Sequence, residues 1–223
     1  MEKTLTLNSF KAVIFDMDGV IIDSEPLWEI AIRKGFEHVG FTLTKAQAAQ
    51  TVGLRIDEVI AYWHTRFQWE KYSNKNVERF IIDELKVLIA ERGVALKGVA
   101  ETLQFLKNQH LKIGLGTSSY EELVDFNLEH LQLASYFDFT HSAEKEEYGK
   151  PHPAVYLSVA KKLGVSPLEC LVIEDSFPGM IAAKAARMKV VAIPEKSHQF
   201  DKRLIIADYQ FENMGTFLEA INK

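Results

Sequence analysis

The sequence predicts an α/β fold: a doubly wound parallel sheet with an all-helical block inserted after its first strand. Three observations lead there. Residues 12–15, Ala12-Val13-Ile14-Phe15, form an unbroken apolar run, as in a strand buried on both faces. From Leu27 to about Gly93 no convincing strand pattern appears, while apolar residues recur at helical spacing. After Gly98, short apolar runs alternate with helical patterns, which implies parallel strands joined by crossover helices.

Taken in order, residues 1–10 read as a polar lead-in and the first strand as Lys11 to Phe15. Asp23-Ser24-Glu25-Pro26 is a helix-start signal, with Pro26 suited to the first turn, and the helix is expected to end near Gly40. Thr44 and Gln47 have the spacing of a capping box. Ile56, Val59, Ile60 and Trp63 mark a third helix, and Val77, Phe80, Ile81, Leu85 and Leu88 a fourth, with Gly93 as a C′ stop. The alternating part is read as helix Val99–Gln109, strand Lys112–Thr117, helix Tyr120–Leu131, strand Phe137–Thr140 and helix Ala154–Leu163. Strand Leu171–Ile173, helix Met180–Met188 and strand Val190–Ile193 follow. Hinges are expected near residues 24–26 and 93–97, which divides the chain into a core of residues 1–24 and 95–223 and a helical block of residues 25–94.

Composition narrows the function. No stretch approaches the ~20 apolar residues of a membrane span, and the first residues lack the pattern of a signal peptide. Cys170 is the only cysteine, so no internal disulfide forms, and a reducing cytoplasm is expected. A net charge of -5 without a long basic run argues against nucleic acid as the partner. The seven histidines show no metal-ligand pairing at helical spacing, so no zinc site is expected.

The chemistry gathers at strand ends, where open α/β sheets bind ligands. The first strand runs into Asp16 and Asp18, two carboxylates on alternate residues followed by Gly19. Their repulsion favours a cation between them or a proton on one. The second strand ends in Thr117-Ser118-Ser119 before a helix, where hydroxyls and free N–H groups suit an anion. Lys150 can offer positive charge to a phosphoryl group, and Glu174-Asp175 could complete an oxygen-only site for Mg²⁺. Each feature alone has a plainer use: Thr117 and Ser118 as helix caps, Lys150 as a solvated lysine, Glu174-Asp175 as an acidic helix start. Together, in this order, they are hard to obtain by accident.

This ordered set resembles the haloacid dehalogenase superfamily, whose motifs are D-x-D, a Ser/Thr after strand two, a Lys and an acidic pair. Further segments share the likeness: Asp23-Ser24-Glu25-Pro26-Leu27-Trp28, Gly53-Leu54-Arg55-Ile56-Asp57, Ser142-Ala143-Glu144-Lys145, Lys150-Pro151-His152-Pro153 and Glu174-Asp175-Ser176 with Gly179-Met180. They resemble the bacterial sugar phosphatases of that superfamily. The resemblance implies a Rossmann-like core, a helical cap and a Mg²⁺-dependent phosphatase of small sugar or polyol phosphates, expected to act as a monomer. It implies that Asp16 attacks phosphorus and that Asp18 serves as acid and base. The Asp16 and Asp175 carboxylates and the Asp18 backbone carbonyl would hold Mg²⁺, with Glu174 behind them. Thr117, the Ser118 N–H and Lys150 would hold the phosphoryl oxygens, and Ser119 would reach the substrate. Arg55, after Gly53-Leu54, could reach the substrate too or serve equally as a structural arginine at a helix start. In the β-phosphoglucomutase pattern a histidine stands ten residues after the second Asp. Here that position is Trp28, and Glu121 after the strand-two serines would repel a second phosphate. Hydrolysis rather than isomerisation is expected.

Overall fold

The computed structural model describes residues 5–51, 54–194 and 202–222. Gly53 and the first four residues of the expected lead-in lie outside the described residues. Strand β1 (Ala12–Phe15) is followed by four helices, α1 (Glu25–His38), α2 (Lys45–Ala48), α3 (Ile56–Phe67) and α4 (Asn74–Arg92). The chain then alternates through α5 (Val99–Asn108), β2 (Lys112–Thr117), α6 (Glu121–His130), β3 (Phe139–Ser142), α7 (Ala154–Leu163), β4 (Cys170–Glu174), α8 (Phe177–Ala185) and β5 (Lys189–Ala192). A two-residue strand, β6 (Tyr209–Gln210), and α9 (Met214–Ile221) close it.

The six strands pair in parallel in the order β3-β2-β1-β4-β5-β6. Side chains of a strand point alternately to the two faces, and both faces are covered here. Val13 and Phe15 join one apolar cluster with Leu103 and Leu106 of α5 and Leu123 and Leu128 of α6. Ala12 and Ile14 join another with Val159 and Leu163 of α7 and Met180 of α8. This is why β1 reads as continuous apolar residues rather than an alternation. Phe15 pairs with Leu115 of β2 and Ile173 of β4, so the carboxyl ends of the three central strands are level. The chain leaves β1 for β2 and β3 on one side and returns to β4 on the other. A switch of this kind opens a crevice beyond the strand ends.

The helical block packs as its periodicity requires. Thr44 and Gln47 form the capping box of α2, and Trp63 and Trp69 are buried as core residues. Helix α1 lies close against α4 because Gly35 carries no side chain: a Cβ there would stand 2.2 Å from Ile81 Cγ1.

Several boundaries differ from expectation. Leu5 and Phe10 are buried, so the described part of the lead-in belongs to the core. Strand β3 starts two residues late because Asp138 Oδ2 accepts the Ile113 N–H of β2 at 2.7 Å. Helix α8 starts at Phe177 rather than Met180, since Ser176 Oγ caps the Gly179 N–H at 3.2 Å and Pro178 fits the first turn. Gly93 follows α4 with φ −65°, not in the left-handed conformation of a C′ glycine. Its lack of a side chain still matters, since a Cβ would lie 2.7 Å from the Ile89 carbonyl oxygen. Among the described residues no helix is long and apolar enough to cross a membrane.

Gly35→Ala tests the α1–α4 contact. Helix propensity alone would favour alanine by about 1 kcal/mol, whereas forcing a methyl into a packed seam costs about 1–3 kcal/mol. Chemical denaturation is expected to show a net loss of stability of up to about 2 kcal/mol; a gain would mean that the helices part easily.

Candidate active site

The level ends of β1, β2 and β4 bring together groups far apart in the chain. Asp16 follows β1 directly, and its N–H donates to the Ile173 carbonyl at 3.0 Å, continuing the ladder by one residue. Lys150 Nζ lies 2.9 Å from Asp16 Oδ1 and 2.7 Å from Glu174 Oε1. All three side chains are buried. Carboxylate oxygens of Asp16, Glu174 and Asp175 lie within 4.8 Å of one another.

Glu174 is committed to the protein. Its Oε1 accepts from Lys150 and from Tyr156 Oη at 2.5 Å. Its Oε2 accepts from the Asp175 N–H at 3.1 Å, the Ser176 N–H at 3.0 Å and Ser176 Oγ at 2.9 Å. Five donors leave this carboxylate little capacity for anything else, so Asp16 and Asp175 are the members able to offer oxygens to a ligand. Two glycines make room. A Cβ on Gly179 would stand 1.7 Å from Glu174 Oε1, and one on Gly19 2.3 Å from Asp175 Oδ2. Gly19 also adopts φ +72°, which L side chains rarely do.

The charges do not balance, since three buried carboxylates share one ammonium. The Asp16 carboxyl is pushed up to about 7: burial is the main cause, Lys150 opposes it, and the charges of Glu174 and Asp18 add to it. Burial, then the charges of Glu174 and Asp16, holds Asp175 well above the usual carboxylate range. For Glu174 burial acts upward, but the charge and hydrogen bond of Lys150 outweigh it and the carboxyl stays below its ordinary value. Burial works against the charged form of Lys150, yet Asp16 and Glu174 raise it above the ordinary lysine value. A divalent cation fits such a cluster: its donors are hard oxygens and its charge deficit is positive.

Asp18 stands apart from that cluster. Its Oδ1 accepts from Ser24 Oγ at 2.6 Å and Trp28 Nε1 at 2.9 Å, and its Oδ2 from Ser119 Oγ at 2.6 Å. Thr117 is buried at the end of β2, where its Oγ1 accepts the Ser119 N–H at 3.1 Å. Neither Thr117 nor Ser118 caps α6, whose N-cap is Tyr120. The Ser118 hydroxyl is buried with no hydrogen-bond partner.

A cavity of about 840 Å³ opens over these groups, within the range of small-molecule sites. Asp16, Asp18, Thr117, Ser118, Ser119, Lys150 and Asp175 line it, as do Glu25, Trp28, Glu29 and Arg33 of α1 and Tyr120. Ser119 and Arg55 each make contacts that the sequence does not show. The Ser119 hydroxyl is engaged with Asp18, although the residue lines the cavity. Arg55 is not among the lining residues. Its Nη1 donates to the carbonyls of Ala143 at 3.0 Å and Glu146 at 3.1 Å, and its Nη2 to Asp57 at 3.1 Å, so it ties α3 to the turn after β3. Glu121 does not line the cavity either, and Lys145 pairs with its carboxylate. Tyr156, Ser24 and Trp28 escaped the reading of single residues as site components. All three lie in segments that carry the family likeness or flank it, but their bonds depend on tertiary contact.

A family model described as "haloacid dehalogenase-like hydrolase" matches residues 13–193. Hexitol phosphatase B of Escherichia coli K12 is 41% identical over 204 residues, covering 91% of this chain and 92% of that protein. A phosphorylated carbohydrates phosphatase of Thermotoga maritima is 35% identical over 176 residues, covering 79% and 81%. Among solved structures, β-phosphoglucomutase of Clostridium difficile superposes with a TM-score of 0.80 at 25% identity, covering 96% and 97%. The span of the family match runs from the second residue of β1 through β5 and contains every residue of the buried cluster, and the chain belongs to the haloacid dehalogenase-like hydrolase family.

Proposed function

We propose that the protein is a Mg²⁺-dependent phosphatase of small sugar or polyol phosphates that works through a phosphoryl group carried on Asp16. The observation that carries this reading is Asp16 itself: a buried carboxylate at the mouth of the cavity, 2.9 Å from Lys150 and two residues from a second acid. The 41% identity to a hexitol phosphatase favours phosphate ester hydrolysis among the family's chemistries.

Asp16 attacks phosphorus and the ester oxygen departs, which divides one difficult hydrolysis into two easier steps. Asp18 gives its proton to that oxygen and later takes one from the water that releases phosphate. Thr117, the Ser118 N–H and Lys150 hold the phosphoryl oxygens in line, since phosphoryl transfer rests on positioning and charge stabilisation. The Asp16 and Asp175 carboxylates with the Asp18 backbone carbonyl would hold Mg²⁺, and Glu174 would position Lys150 behind them. The ion, when bound, supplies the positive charge that the carboxylates lack against an incoming phosphate. Residues 25–94 act as a cap on a core of residues 1–24 and 95–223, excluding water during attack and selecting the leaving group.

Asp16→Asn is expected to lower turnover by roughly a thousandfold or more with the fold intact. Lys150→Ala is expected to cost roughly a hundred- to a thousandfold in kcat/KM. Near-normal steady-state rates in either variant would remove that residue from the chemistry.

The same cluster predicts a pH effect on the metal-free protein. The folded pKa of Asp16 is raised from 3.8 to about 7, so the folded state keeps a proton that the unfolded chain loses. Stability should therefore fall as pH rises from about 4 to about 7. Asp175 acts in the same direction, while the stabilisation from the lowered Glu174 is already complete above its ordinary value. Thermal melts after chelation should show this decline, and added Mg²⁺ should reduce it. A metal-free melting temperature that rises over this range would contradict the assignment of charge.

The reaction is read as hydrolysis because Trp28 replaces the histidine of the mutase pattern. With β-glucose 1-phosphate, catalytic glucose 1,6-bisphosphate and Mg²⁺, phosphate release should outpace formation of glucose 6-phosphate. A wide margin in favour of glucose 6-phosphate would reverse the reading.

A further inference from the structure

We infer that Trp28 is a positioning residue that fixes the orientation of the Asp18 carboxylate through its indole N–H. The inference rests on the proposed role of Asp18 as acid and base. A carboxylate has about four acceptor sites on its two oxygens. Asp18 Oδ1 has both occupied, by Ser24 Oγ at 2.6 Å and Trp28 Nε1 at 2.9 Å. Oδ2 accepts Ser119 Oγ at 2.6 Å and is the oxygen with a site free. The indole N–H is a donor only, so Trp28 cannot exchange protons with Asp18 and acts on it solely by holding it. Ser24 and Ser119 carry hydroxyls whose hydrogens rotate, whereas the indole donor has a direction set by its ring.

That ring is itself held. Trp28 is half-buried, packs against the main apolar cluster and lines the cavity. Its backbone N–H donates to the Ser24 carbonyl at 2.8 Å in the first turn of α1. The donors on Asp18 therefore come from two sides: Ser24 and Trp28 from the start of α1, Ser119 from the segment after β2. The carboxylate is referenced at once to the sheet and to the helix that forms a wall of the cavity. A phenyl ring at position 28 would keep most of the packing and lose only the donor, freeing the carboxylate to turn about its Cβ–Cγ bond. A hydrogen bond to a charged group is a strong one, so the expected loss in kcat is about tenfold to a hundredfold.

The experiment compares wild type, Trp28→Phe, Asp18→Asn and the double variant with 2-deoxyglucose 6-phosphate and Mg²⁺. Trp28→Phe is expected to lower kcat with KM within about twofold, and to add almost nothing to the loss in Asp18→Asn. Independently of turnover, the chain has three tryptophans. The indole ¹H–¹⁵N resonance absent from Trp28→Phe should shift in Asp18→Asn while those of Trp63 and Trp69 stay in place. That shift is read in the Trp28 fold itself, so it decides the matter even if Trp28→Phe folds poorly. If Asp18→Asn turns over normally, the acid–base reading fails and takes this inference with it. If Asp18→Asn is inactive but Trp28→Phe changes only KM, adds its full loss to the double variant, or shows no coupled resonance, Trp28 is a substrate contact and the inference alone is overturned.

Discussion

The buried ammonium of Lys150 is the constraint on which the rest of the site depends. Burying a charge is expensive unless it is paired and hydrogen-bonded, and Lys150 is met by Asp16 at 2.9 Å and Glu174 at 2.7 Å. Glu174 is in turn held by Tyr156 from α7 and by Ser176 at the start of α8. One ion contact thus joins the end of β1, the end of β4, two helices on the same face of the sheet and the turn that carries Lys150. Removing Glu174 would strand the lysine, and removing the lysine would leave two buried carboxylates facing each other. The group that balances the charge of Asp16 also organises its surroundings.

The sheet makes this economical. Parallel strands in register end at one level, so Asp16, Thr117 and Glu174 arrive together without any long loop to place them. The residue after each strand end is then free to serve the ligand, as Asp175 and Ser118 are. The arrangement concentrates more negative charge than Lys150 neutralises, which is why burial lifts Asp16 and Asp175 rather than leaving them ordinary acids. The same imbalance that makes these carboxylates unfavourable together at neutral pH makes the cluster receptive to a divalent cation.

Elements and strand-end acids were legible because they repeat or run in ways that local physics demands. Apolar runs marked β1, β2, β4 and β5, and 3.6-residue spacing marked α3 and α4. The edge strand β6 was not legible, since its two residues contain no apolar run, and α9 depends on an Asn213 capping box that was not recognised. Lys150 stood out only as one of an ordered set of polar groups at strand ends, because an isolated lysine has no local signature of burial. The hydrogen-bond partners of Arg55 and Ser119 and the ion pair of Glu121 could not be read from their neighbours in sequence. Arg55 bonds carbonyls 88 and 91 residues away, and Ser119 an acid 101 residues away. No periodicity reports contacts of that span.

Glu121, paired with Lys145 outside the cavity, contributes no free charge there. The wall is instead set by α1, where Glu25, Glu29 and Arg33 follow at four-residue intervals along one face. At 1.5 Å rise per residue, Glu29 stands about 6 Å and Arg33 about 12 Å along the helix from Glu25. Glu25 is close enough to Asp175 to raise its carboxyl further, so the acidic end of this wall lies beside the cluster. Arg33 lies 3.4 Å from Glu37, which offsets part of its charge. Carboxylates on this wall disfavour a second phosphate beside them. The helix that donates to Asp18 through Trp28 thus also supplies the acidic part of the cavity wall.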